Sequence, residues 1–249
     1  MSNSSRMADN PLAGGGTPEH VWTAAGLRFP DIDLAKCPEI VVVGAHPDDE
    51  TVGFGATAAQ LAAAGVGVQI VSASDGGAAF PDASLLQRYS LEKVRRRELC
   101  EAAGVLGLPP PISLGLPDGD IAGHEQRLTD LLIEILVTRP AGTWCAATWR
   151  GDGHPDHEAV GRAAAVAAAL TGAVLVEYPV WMWHWAQPGD AAVPWERAHA
   201  VPSTPEAIDL KLKAAKRFRS QFESRDGEQP VLPDYFLPRL IAVGEVVFR

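Results

Sequence analysis

Two short runs concentrate the residues that could do chemistry. His46-Pro47-Asp48-Asp49-Glu50 follows a β-branched stretch, and His154-Pro155-Asp156-His157-Glu158 opens an alanine-rich stretch far downstream. In the first run three carboxylates stand side by side, and carboxylates so packed repel one another unless a proton or a cation relieves them. Zinc takes both imidazole nitrogen and carboxylate oxygen, and a catalytic zinc keeps about three protein ligands with water in the remaining position. In the second run Pro155 suits the first turn of a helix, where its missing N–H is no loss. The i, i+3 spacing of His154 and His157 lets both side chains leave one side of that helix start. A single His-Asp pair there would read as a cap and a surface charge. Two such runs, each with imidazole and carboxylate at a strand's end, point instead to one composite metal site. Two imidazoles favour zinc over calcium or magnesium, while iron, cobalt and nickel suit the same donors. His20, His124, His184 and His199 have no such company and read as structural.

For the two runs to meet, the chain between them must bring two strand ends together. Residues 40–45 form a continuous apolar run bounded by turn residues, as expected of a strand buried on both faces. A helix over 58–64, ended by Gly65, and a strand over 66–71 come next. Further alternation follows: helix 86–106, strand 112–114, helix 126–138, strand 144–148, helix 155–170 and strand 173–178. A helix over 205–222 and a last strand over 240–248 complete the chain, with proline-rich loops at 186–205 and 226–238. Such alternation predicts right-handed βαβ units, hence an α/β fold: a Rossmann-like three-layer αβα arrangement with a mostly parallel sheet. Ligands bind such sheets beyond the carboxyl ends of the strands, and both runs lie there. Residues 1–20, rich in Ser, Asn, Gly and Pro, read as a flexible N-terminal tail, and residues 21–249 as a single domain.

Composition narrows the choice of partners. With 47% hydrophobic residues in 249, the chain can bury one full core. A formal charge of −10 argues against nucleic acid as a partner, since neutralising phosphates needs a surplus of Lys and Arg. Arg95-Arg96-Arg97 is the one dense basic run, and Glu98 closes it. No stretch reaches the roughly 18 apolar residues of an integral membrane segment, and the polar start lacks the apolar region of a secretory signal. Cys37, Cys100 and Cys145 are far apart and odd in number, which fits a reducing, cytoplasmic setting. Homo-oligomerisation is left open.

Ala45 to Glu50 after an apolar strand, with Gly53 and Gly55 opening the helix, and the later His154-Pro155-Asp156-His157 resemble the two signature motifs of the PIG-L/LmbE-like N-deacetylase superfamily. The resemblance covers about residues 38–225. The superfamily includes deacetylases of the mycothiol and bacillithiol pathways, of N-acetylglucosaminyl-phosphatidylinositol and of antibiotic sugars. It implies a catalytic domain over 21–249 with one Zn2+ per chain and a small N-acetylated sugar or glycoconjugate as substrate. The reaction implied is removal of the N-acetyl or a related acyl group by a zinc-activated water.

Carried over position by position, it makes His46, Asp49 and His157 the zinc ligands and Asp48 the general base, later the acid that protonates the amine. His154, as imidazolium, would stabilise the oxyanion, with Asp156 holding and tuning it. Arg95 resembles an arginine that contacts the substrate's hydroxyls or phosphate, and Asp118 an acceptor of a sugar hydroxyl. General chemistry agrees with this division of labour, since a bound metal lowers the pKa of water, a carboxylate can take its proton, and a donor opposite favours the developing charge.

Two positions depart from the pattern. Where many sugar-thiol deacetylases carry a tyrosine two residues before the second motif, this chain has Asp152. In Trp181-Met182-Trp183-His184-Trp185 a period of two puts three tryptophans on one side of an extended segment, either as a packed face or as a platform for a ring or lipid. Two other readings remain: a zinc-dependent amidase acting on a non-sugar small molecule, and a non-catalytic metal-binding Rossmann-like module. The module reading lacks a G-x-G-x-x-G loop and must explain why Asp48 is present.

Overall fold

Uninterrupted Val and Ile make β1 (Glu39–Gly44) a strand with no wet face. Ile40 and Val42 enter one apolar cluster, and Val41 and Val43 enter another on the opposite side. The computed structural model describes residues 3–80, 82–224 and 229–249. Its other strands are β2 (Gly67–Ser74), β3 (Ile112–Leu116), β4 (Trp144–Thr148), β5 (Val174–Tyr178), β6 (Ala198–Val201) and β7 (Glu245–Phe248). They form one seven-stranded sheet in the order β3-β2-β1-β4-β5-β7-β6. The first five are parallel, and β7 runs antiparallel to both β5 and β6.

The helices are α1 (Asn3–Asp9), α2 (Glu19–Ala24), α3 (Asp49–Ala63), α4 (Leu85–Val105), α5 (Glu125–Val137), α6 (Pro155–Thr171), α7 (Met182–Trp185), α8 (Pro205–Ala215), α9 (Arg219–Phe222) and α10 (Phe236–Val243). Residues of α3, α4, α8 and α10 pack in the first cluster and those of α5 and α6 in the second, giving the three-layer αβα fold. Among the described residues no helix is long and apolar enough to cross a membrane.

The chain leaves β1 toward β2 and β3, then returns to place β4 on the other side of β1. The strand order therefore reverses between β1 and β4, which is where a crevice opens at the carboxyl edge of such a sheet. The loops after these two strands carry the two histidine runs.

Helix α6 comes close to β4 because residue 161 is glycine. A Cβ there would stand 2.6 Å from the carbonyl oxygen of Thr148 and 2.6 Å from the amide of Arg150. Backbone cannot give way as a side-chain tip can, so Gly161→Ala is expected to cost about 1–3 kcal/mol. Denaturant melts of the two proteins check this, and equal midpoints would contradict the close seating of α6.

Several sequence expectations are corrected. Residues 3–20, read as part of a flexible tail, carry α1 and the start of α2 and are tied to α7 and α10; residues 1 and 2 lie outside the described residues. The Thr17 amide donates to the His184 carbonyl at 2.8 Å, Thr17 Oγ1 to the Ala186 carbonyl at 2.6 Å, and Arg239 to the Gly15 carbonyl. The ordering comes from these distant partners, which local composition does not reveal.

Helix α3 begins at Asp49, ahead of the alanine-rich 58–64 and of the Gly53 and Gly55 expected to open it, and Gly53 lies against the Tyr178 ring, where a Cβ would meet carbon at 2.5 Å. The tryptophan segment is not extended. It turns as α7, with the amides of His184 and Trp185 bonded to the Trp181 carbonyl, so its three rings diverge. Residues 240–248 divide into the end of α10 and β7 at Gly244, and the helix expected over 205–222 breaks into α8 and α9. The expected loop 186–205 contains β6. The expected loop 226–238 ends in α10, and its residues 226–228 lie outside the described residues.

Candidate active site

Between the ends of β1 and β4 lies a pocket of about 250 Å³ walled on one side by His46, Asp48, Asp49, Asp118 and His154. Asp48 precedes α3 with φ 141° and ψ −30°, and it is the only described non-glycine residue with positive φ. A backbone so placed is sterically costly and persists where its surroundings over-determine it, as at functional sites. Here the surroundings are identifiable. The Asp48 amide donates to Glu50 Oε2 at 3.3 Å, and its carboxylate meets Arg95 Nη2 at 3.3 Å. Burial lifts the Asp48 carboxyl to about 7, against the pull of Arg95. Burial likewise lifts Glu50 to about 8.

Asp49 sits in the first turn of α3 and faces both histidines. Its Oδ1 is 3.2 Å from His157 Nε2 and its Oδ2 is 3.5 Å from His46 Nδ1. Burial raises an acid, but His157 and His46 outweigh it and hold Asp49 well below the usual carboxylate range. The donor atoms of His46, Asp49 and His157 all lie within 4.8 Å of one another. His46, His154 and Asp156 form a second group that meets the same distance test.

Hydrogen bonding separates the two groups. His46 Nε2 is 3.0 Å from Asp118 Oδ1 and 3.2 Å from Asp156 Oδ2, so that nitrogen donates to carboxylates while Nδ1 turns toward Asp49. His157 Nδ1 is 2.8 Å from Asp152 Oδ2, and its buried Nε2 faces Asp49 Oδ1 at 3.2 Å without the alignment of a hydrogen bond. An imidazole whose far nitrogen rests on a carboxylate and whose near nitrogen is bare is the usual form of a metal-ligating histidine. Both histidines of the first group rest the far nitrogen on a carboxylate and turn the near one toward Asp49. The Asp156 carboxylate, by contrast, also accepts from the Gly119 amide at 2.8 Å and the Ile121 amide at 3.1 Å, so its lone pairs are engaged. His46, Asp49 and His157 therefore fit a divalent transition metal by donor type and by arrangement.

The other expected site residues are brought to the same place, some in different roles. His154 accepts the Asp156 amide at Nδ1, 3.2 Å away, which leaves Nε2 as its donor. Burial pushes its pKa down to about 3, which together with the Asp156 amide on Nδ1 favours the neutral ring over the imidazolium that the resemblance implies. Asp156 holds His154 through its backbone amide, while its carboxylate serves His46.

Arg95, expected to touch substrate, lines the pocket and is otherwise buried. Its Nη1 donates to the Gly76 carbonyl at 3.0 Å and its Nη2 to the Pro47 carbonyl at 2.9 Å, so it holds the loop and Asp48. Asp118, expected to accept a sugar hydroxyl, accepts the Ala78 amide at 2.6 Å and backs His46. Burial raises it, but His46 and the Ala78 amide hold it well below the usual range. These contacts arise where distant loops converge, and spacing within one loop does not encode them.

Asp152 was legible only as the place of a missing tyrosine. It is fully buried, and its carboxylate accepts four N–H groups: His157 Nδ1 and the amides of Val180, Trp181 and Met182, each 2.8–2.9 Å away. An acid five residues before a candidate ligand was the available signal.

The fold and site thus define a doubly wound α/β protein with an imidazole and carboxylate centre at its topological switch point. The GlcNAc-PI de-N-acetylase (PIG-L) family model matches residues 41–168, slightly more than half the chain. The chain belongs to the PIG-L family. It is 28% identical over 246 residues to 1D-myo-inositol 2-acetamido-2-deoxy-alpha-D-glucopyranoside deacetylase 1 of Saccharopolyspora erythraea, covering 85% of this chain and 74% of that one. The enzyme of the same activity from Mycobacterium avium is 29% identical over 147 residues, and there the match spans 50% of this chain and only 49% of the relative. Among solved structures, N,N'-diacetylchitobiose deacetylase from Pyrococcus horikoshii superposes with a TM-score of 0.61 at 22% identity, over 77% of this chain and 73% of that one. That likeness is one of fold.

Proposed function

We propose that this protein removes the acetyl or a related acyl group from the amine of an amino sugar or glycoconjugate, with a divalent transition metal held by His46, Asp49 and His157. Zinc is the first choice because two of the three donors are imidazole. The observation that carries the reading is the convergence of two imidazoles and the Asp49 carboxylate, their donor atoms within 4.8 Å of one another, beside a strained Asp48. The names of the two curated relatives support a 2-acetamido sugar as the substrate class.

When bound, the metal supplies Lewis acidity toward the amide carbonyl and makes water easier to deprotonate. Asp48, lifted into the neutral range, takes a proton from the attacking water as oxygen bonds to the carbonyl carbon. His154 Nε2 donates to the carbonyl oxygen as charge gathers on it, its ring held by the Asp156 amide. The C–N bond then breaks, and Asp48 returns its proton to the amine, leaving carboxylate and free amine. Arg95 and Glu50 keep Asp48 in place throughout.

The test is elemental analysis together with acetate release from a panel of N-acetylated sugars, before and after chelation and metal return. About one metal per chain and chelator-sensitive acetate release are expected. A protein that carries no metal after loading, or that releases acetate equally well after chelation, would overturn the reading.

A further inference from the structure

An apolar part of the pocket's lining lies beyond the family match. Trp181, Leu232 and Phe236 contribute to it, all beyond residue 168. The Trp181 and Phe236 rings lie 4.9 Å apart at 44°, and Phe236 is only 2% exposed while Trp181 is partly buried, so the pair forms one continuous surface. The other tryptophans of the segment point elsewhere. Trp183 packs edge-on against Trp22 at 5.0 Å, and Trp185 Nε1 donates to the Asp152 carbonyl.

The position of Trp181 is fixed relative to the metal ligands. Asp152 Oδ2 accepts both His157 Nδ1, at 2.8 Å, and the Trp181 amide, at 2.9 Å. One carboxylate oxygen therefore sets the aromatic wall and a candidate ligand at the same time. The wall is backed from behind by His184 Nε2 on the Asn10 carbonyl at 2.8 Å and by Tyr235 on the Leu12 carbonyl. A cavity of about 250 Å³ is below the roughly 300–1,000 Å³ of sites that enclose a whole drug-sized ligand. It takes the acylated amine and one neighbouring group, with the rest of a larger substrate outside.

We infer that Trp181 and Phe236 form a specificity wall, and that the preferred substrate carries an apolar group, aromatic or alkyl, next to the amide that is cleaved. A fully hydroxylated neighbour would leave its hydroxyls unpaired against this wall, and unpaired buried hydroxyls are disfavoured. The inference rests on the deacylase reading for the amide, though not for the binding preference itself. The apolar group could sit on the sugar side, as an aryl aglycone, or on the acyl side, as a longer acyl chain.

The experiment compares N-acetylglucosamine with its 4-nitrophenyl glycoside and with N-octanoylglucosamine, on the metal-loaded protein. Binding is measured by calorimetry and turnover by amine release. At least tenfold tighter binding of one of the two substituted compounds is expected, and which one identifies the side that meets the wall. Trp181→Ala should lower that preference about tenfold and Trp181→Phe should keep most of it, with metal content and thermal melts showing that both variants fold. Equal binding of all three compounds, or a preference untouched in a folded Trp181→Ala protein, overturns the inference. Preference in binding without any amine release upholds the wall and sinks the deacylase reading instead.

Discussion

Asp48→Asn is expected to keep its full complement of metal and to lose about 10³-fold in kcat, within the range that removal of a general base or acid produces. The substitution isolates proton transfer because the amide has nearly the shape of the carboxylate and asparagine tolerates positive φ better than most residues. Asp48 is also outside the group of donors that fits the metal. The Arg95 guanidinium would lose its ionic partner but keep the Pro47 and Gly76 carbonyls, so the loop stays tied. Steady-state kinetics with elemental analysis on the same preparation decides the matter. A variant with normal metal and turnover within tenfold of the parent would show that another group moves the proton. A variant that loses metal as well would show that Asp48 is a ligand.

The contrast between Asp48 and Asp49 shows what sequence alone can carry. Adjacent residues of the same type differ in role because the helix begins between them: Asp49 turns into the first turn of α3 toward His157, while Asp48 sits outside it on a strained backbone. The strand run ending at Ala45, the proline at the start of α6 and the paired histidine motifs were all legible, because each is a local pattern with a local cause. So was the alternation that places both motifs at one edge of a parallel sheet.

Long-range pairings were not legible. Arg95 and Asp118 were found as site residues, but their partners come from loops after other strands, so a role in contact with substrate could not be told from a role in holding Asp48 or His46. The protonation of His154 has the same origin. It depends on how deeply the ring is buried and on which other rings surround it. The period-2 reading of the tryptophans failed because a four-residue helix and an alternating strand of aromatics look alike over so short a span.

Asp152 shows how far such a pairing can reach, and its replacement is expected to affect two properties separately. Its Oδ2 fixes the tautomer and direction of the His157 ring, and loss of a carboxylate in that position commonly weakens metal binding by about 10–100-fold. Asp152→Asn should fall in that range in a chelator-competition titration, because an amide offers one oxygen where four N–H groups now converge. Asp152→Ala removes the acceptor from the amides of Val180, Trp181 and Met182 as well. Each buried donor left unsatisfied costs about 1–3 kcal/mol, so the alanine variant should be destabilised by about 3 kcal/mol or more even with no metal present. Denaturant melts of metal-free protein separate this structural loss from the loss of affinity. Metal affinity within twofold of the parent in Asp152→Asn would mean that His157 is oriented by packing alone. A stable alanine variant would mean that the turn into α7, and with it the Trp181 wall, is held by something other than this carboxylate.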